Sequence, residues 1–146
     1  MKPQRLIKIC LTLPLLLAMT AIIGSAQAEV VVIVSAKSPI TSLTAEQTAR
    51  IFLGKTSTFP DNSAATPIDQ REGSAIRDEF YNKVVHKTPS QVAAYWAKII
   101  FTGDGRPPDM LDSDGAVRRA VAKDPGAIGY IDRQSVNRTV RVILEP

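Results

Sequence analysis

Cysteine is almost absent from this chain of 146 residues, and the one present, Cys10, lies near its start, so no internal disulfide can form. Histidine is as scarce, with His86 alone. Neither a G-x-S-x-G elbow nor an H-E-x-x-H pair occurs. Serine hydrolase, cysteine protease and zinc protease chemistry therefore lack their parts. No catalytic residue and no cofactor is expected, and His86 reads as a solvent-facing residue near a helix end. No internal repeat or low-complexity segment is present either.

The apparent excess of positive charge also largely disappears on inspection. Lys2, Arg5 and Lys8 precede an apolar run, Ile9 to Ile23, which is followed by Ala26-Gln27-Ala28, an A-x-A cleavage pattern. Residues 1–28 thus read as a secretory signal peptide cleaved before Glu29. A transmembrane anchor is the rival reading, but the run is shorter than the roughly 20 residues a span needs and ends in small residues. Cys10 lies upstream of most of that run, so it is not a lipoprotein acceptor. Three of the 18 basic residues fall in the leader and none of the 14 acidic ones, which leaves 15 against 14. The isoelectric point of about 9.4 thus owes much to the leader. A nucleic-acid partner, which needs a clustered positive face, loses its main support. Residues 29–146 have the length of one domain.

Along that domain, Val30 to Val34 is a continuous β-branched run, expected to be a strand buried on both faces. Thr44-Ala-Glu-Gln47 is a capping box opening a helix whose apolar residues are Ala49, Ile51, Phe52 and Leu53, stopped by Gly54. Lys55 to Thr66 is loop-like, and Thr66 to Asp69 reads as a short strand. A helix bearing Ile76, Phe80, Tyr81 and Val84 on its inner face follows. Thr88-Pro-Ser-Gln91 is a second capping box, and Val92, Tyr95, Trp96, Ile99 and Ile100 form an apolar stripe running to about Phe101. Tyr95 and Trp96 read as core residues.

The segment from Gly103 to Asp112 reads as a loop. Its acids Asp104, Asp109 and Asp112, with Asp114 beyond, do not match the glycine and glutamate positions of an EF-hand, and a solvated acidic loop is expected. Ser113 caps a helix to about Lys123 with Ala116, Val117, Ala120 and Val121 inward. Asp124 to Gly126 is a turn, and Ala127–Ile131 and Thr139–Leu144 are strands. Strands separated by helices make an α/β domain.

The segment Arg71-Glu-Gly-Ser-Ala-Ile-Arg77 opens one of these helices. A helix start carries unpartnered N–H groups and partial positive charge, a prepared seat for an anion. Gly73 lets a guest approach the backbone, Ser74 offers a hydroxyl, the amides of Ala75 and Ile76 point outward, and Arg71 or Arg77 could fork onto two oxygens. The alternative is that Ser74 merely caps its own helix. Local spacing does not separate the two, because the cap uses the same oxygen.

Three separated pieces, Ile51-Phe-Leu-Gly-Lys55, the motif from Arg71 to Ile76, and Asp124-Pro-Gly-Ala-Ile-Gly-Tyr-Ile131, together resemble the phosphate-binding proteins of bacterial ABC transporters. The order and approximate spacing match from about Val30 to Leu144. The resemblance implies a single lobe of a type 2 periplasmic-binding-protein-like fold, an α/β mixed sheet flanked by helices, where the family has two lobes closing on phosphate. It implies an exported, periplasmic protein that binds phosphate or a related oxyanion through Arg71, Gly73, Ser74, Ala75 and Ile76. The motif departs from the family's R-x-D-G-S-G-T: Gln70 takes the arginine position with Arg71 one residue late, Ala75 the second glycine, and Ile76 the threonine. Lost donors and a lost lobe imply weak binding. Another reading keeps the lobe as a non-catalytic interaction module, its anion seat vestigial, docking on a membrane transporter or sensor. A homodimer that rebuilds the clamshell is a third.

Overall fold

The computed structural model describes residues 28–146, so the leader expectation falls on residues outside the described ones. β1 (Val30–Ser35) is buried at every position, as its unbroken β-branched sequence predicts. It sits inside a five-stranded sheet of order β3-β2-β4-β1-β5, the other strands being β2 (Thr66–Gln70), β3 (Asp109–Leu111), β4 (Ala127–Asp132) and β5 (Val140–Leu144). β1 runs antiparallel to both neighbours, with Val31 opposite Ile131 and Val34 opposite Ile128 on β4. β2 runs parallel to β3 and β4. The sheet is therefore mixed.

Period-two alternation along β1 feeds two cores. Val30, Val32 and Val34 join Ile128 and Tyr130 under α1 (Ala45–Phe52), α2 (Ala75–Phe80) and α3 (Pro89–Thr102). Val31 and Ile33 join Ile131 beneath Val117 and Val121 of α4 (Asp114–Lys123). Gly129 lies on the α4 side, where an added Cβ would stand 2.7 Å from Val117 Cγ1 and 3.1 Å from Val121 Cγ2. Only a residue without a side chain lets α4 pack this closely on β4.

Local signals in the sequence place the helix ends. Both capping boxes form, Thr44 with Gln47 and Thr88 with Gln91. α1 closes where the N–H of Gly54 donates to Ile51 O and that of Lys55 to Arg50 O, with Gly54 at φ +66°. This is the Schellman pattern of a helix stop. α2 passes directly into a π-helical turn, Tyr81–Val85, ended by an exposed His86 in the left-handed conformation.

Two expectations need correction. The loop from Gly103 to Asp112 contains β3, whose three residues pair in parallel with Ile68–Gln70. So short an edge strand carries no readable alternation. The stripe on α3 also ends early: Val92 and Trp96 are buried, but Ile100 is 57% exposed, because α3 outruns the surface it packs on. At the ends of the domain, Arg133 pairs with both Glu29, at 2.9 Å, and Glu145, at 2.7 Å.

Candidate functional site

β2 delivers the chain to the motif singled out in the sequence. Arg71 leaves the strand with its N–H donating to Leu111 O (3.1 Å), and the N–H of Ser74 turns back to Arg71 O (3.4 Å). Gly73 makes the turn possible at φ +79°, with nothing within 4 Å of a would-be Cβ. Ser74 then caps α2: its Oγ accepts the N–H of Arg77 at 3.3 Å. Accepting that bond occupies one lone pair and leaves the hydroxyl proton free to donate. The cap and an anion contact are therefore compatible. The amides of Ala75 and Ile76, in the first helical turn, have no acceptor within their own helix.

The five residues behave differently. Arg71, Gly73 and Ala75 are exposed and Ser74 is half-buried, whereas the side chain of Ile76 is buried in the main core and offers only its backbone. Arg77, the second arginine considered as an anion fork, is committed elsewhere. It is buried with its Nε 3.4 Å from Asp69, and its guanidinium lies 4.9 Å from the centre of the Tyr81 ring.

Asp69 is the centre of a buried network that sequence reasoning missed. Its carboxylate accepts from the hydroxyls of Tyr81 and Tyr130, from the N–H of Gln70 and from Arg77 Nε. Gln70 extends the network, donating through Nε2 to Asp114 at 2.6 Å and to Tyr130 O at 3.0 Å. Asp114 also accepts from Asp132 N and Ser135 Oγ, so this acid of the supposed solvated cluster is structural. Burial raises both tyrosines well above their ordinary range, and the Asp69 charge and hydrogen bonds add to it. For Arg77, burial is the largest single influence and acts against the charged form, but the Asp69 charge, the two tyrosines and the hydrogen bond to Asp69 together outweigh it, raising the guanidinium above its usual value. The one hint in the sequence was an aspartate ending a strand and a tyrosine inside Gly-Ala-Ile-Gly-Tyr.

A cleft of about 260 Å³ opens beside the turn, taking Glu72 and Arg77 from this segment and Trp96, Ile100, Pro107 and Met110 from its apolar side. Trp96 is buried there with its Nε1–H unpartnered. Tyr95, half-buried as the stripe requires, donates its hydroxyl to Leu53 O at 2.6 Å. Among the described residues, no group of three or more His, Cys, Asp or Glu is placed to hold a metal ion, and no helix is long and apolar enough to cross a membrane.

No family model matches this sequence, and no curated protein does. Solved structures do match. A Clostridium perfringens protein assigned as a phosphate ABC transporter substrate-binding protein, solved with bound phosphate, superposes with a TM-score of 0.64 at 21% identity, over 80% of this chain and 44% of its own. An ABC-type phosphate transport receptor from Vibrio cholerae gives 0.62 at 18% identity, over 80% and 45%. PstS from Borrelia burgdorferi gives 0.60 at 17%, over 80% and 46%. The fold is thus that of one lobe of phosphate substrate-binding proteins, and the chain spans less than half the length of those it matches.

Proposed function

We propose that this is an exported, periplasmic protein that binds phosphate or a related oxyanion weakly and without catalysis. The carrying observation is the fold shared with a structure that holds phosphate, together with an open turn whose serine caps its helix and still has a proton to give. In this reading Ser74 Oγ, the amides of Ala75 and Ile76, and Arg71 contact the anion, and Gly73 admits it. These contacts all come from one turn and so reach an anion from one side. Ile76 supplies no hydroxyl, and each charge-assisted hydrogen bond is worth about 1.5–3 kcal/mol. A dissociation constant on the order of 1 mM, about 4 kcal/mol of binding, follows. Isothermal titration of residues 29–146 with phosphate, sulfate and small carboxylates tests this. Saturable heat with phosphate, lost in the Arg71→Ala, Ser74→Ala double variant, supports it; absence of saturation with every anion at millimolar concentrations rejects it.

A second reading is favoured by a separate observation. Ile100, Phe101 and Met110 are 57%, 92% and 49% exposed, and Ile100 and Met110 border the same cleft. Exposed apolar groups brought together suit contact with another protein, here a membrane transporter, a sensor or a second copy of this chain. Sedimentation of the wild type and of Phe101→Ser, with and without phosphate, separates self-association from a lone monomer.

A further inference from the structure

A cleft of about 470 Å³ lies at the end of the sheet opposite the Ser74 turn, bordered by five basic residues and no acidic one. The placement follows from the register. β2 and β4 run parallel, so Ser74, beyond the end of β2, is at the Asp132 end of β4. β1 runs the other way and delivers Ser35 to Lys37 at the Ala127 end. There Ser35 Oγ donates to Ala122 O near the C-terminus of α4. Lys37 comes from the connection after β1, Arg118, Arg119 and Lys123 from α4, and Arg138 from the connection before β5.

Structural duties explain only part of this gathering. Lys123 sits in the last turn of α4, where a cation offsets the helix dipole. Arg118 is anchored by donating to Ser135 O, which leaves its other nitrogens free. The Arg119 guanidinium is turned back toward Gly115. No such duty accounts for Lys37 or Arg138, which come from two other connections. Among the described residues none of the five is ion-paired. Asp124, next in sequence to Lys123, is spent on its own turn, accepting from the N–H of Gly126. Like charges gathered in one cleft repel one another, and salt screens them only beyond about 8 Å at physiological ionic strength. A bound polyanion would relieve that repulsion.

We infer that this basic cleft is a second anion site, built for a guest carrying two or more linked phosphate groups, either free or in a lipid headgroup. A chain of phosphates concentrates several negative charges in a space of this size, whereas an acidic peptide spreads single carboxylates along its length. Arginine matches phosphate oxygens in pairs, and lysine supplies point charge. The aliphatic stems of the same side chains form the apolar walls. The inference does not depend on the Ser74 turn.

Tripolyphosphate and orthophosphate titrated at low salt into residues 29–146 test it, beside flotation with phosphatidylcholine vesicles with and without cardiolipin, whose headgroup carries two linked phosphates. The expected result is saturable tripolyphosphate binding, about tenfold tighter than that of orthophosphate and weakening steeply with added salt. The triple variant Lys37→Gln, Lys123→Gln, Arg138→Gln should weaken it at least tenfold. Binding to cardiolipin vesicles but not to tripolyphosphate, lost in the triple variant, assigns the site to a lipid headgroup. Absence of both interactions, or binding that the triple variant retains, overturns the proposal.

Discussion

The hydroxyl of Tyr130 donates to the carboxylate of Asp69 across a sequence separation of 61 residues. Through that bond β4, β2 and α2 share one buried acid, since Tyr81 and Arg77 reach the same carboxylate. Replacing Asp69 by alanine strands the Tyr81 and Tyr130 hydroxyl protons and the Arg77 cation, leaving the Gln70 N–H only its bond to Tyr130 Oη. The expected loss is about 3–5 kcal/mol, the range for uncompensated buried charge. Arg77→Met should cost less, because the carboxylate keeps the two hydroxyls and the Gln70 amide. Urea unfolding of both variants checks the order; equal losses would contradict the arrangement.

The same network sets the response to alkali. Tyr81 and Tyr130 are raised by burial and by Asp69, while in the unfolded chain they ionise near pH 10. Their contribution is therefore complete below about pH 10 and is lost as the pH climbs beyond it, because only the unfolded state gives up the protons. The slope should approach roughly 1.4 kcal/mol per pH unit for each tyrosine. Unfolding measured across this range, with tyrosinate absorbance followed in parallel, should show two of the three tyrosines ionising only as the fold is lost.

Gly129→Ala places a methyl 2.7 Å from Val117 Cγ1, and overpacking of this kind costs about 1–3 kcal/mol. Adding Val117→Ala should return part of the loss, a coupling that a thermal double-mutant cycle reads. Gly73→Ala meets no neighbour but must hold φ near +79°, so only backbone strain of roughly 1–2 kcal/mol is expected.

Ser74→Ala should cost about 1 kcal/mol by removing the cap of α2, together with any phosphate response. Ser74→Asp separates the two roles. Aspartate caps as well as serine but sets a negative charge where the anion would rest, so stability should persist and phosphate binding vanish. A variant that still titrates with phosphate would move the site elsewhere.

Much of the fold was legible because its signals are local. The burial of β1 was carried by its β-branched run, and the starts of α1 and α3 by threonine and glutamine at capping distance. β3 escaped because three residues after two prolines, two of them exposed and only Leu111 half-buried, carry no alternation, and its partner is in register only once β2 is in place. Asp69, Gln70, Tyr81 and Tyr130 each read as ordinary in isolation; their convergence is a property of packing. The basic cleft was hidden by arithmetic, since a near-neutral total says nothing about where like charges gather. At the Ser74 turn the expected cap is present, and the sequence had left open the free proton beside it.

Arg133 ties Glu29 to Glu145, so the points where the chain enters and leaves the sheet meet at one side chain. Such geometry suits a portable unit, one that can be spliced into a longer polypeptide or excised from it without cutting a strand. A circular permutant that joins these two positions by a short linker and opens at the exposed Pro60–Asn62 turn should keep the sheet order. The two ion pairs at Arg133 would then act as the clasp that holds the rejoined ends in register.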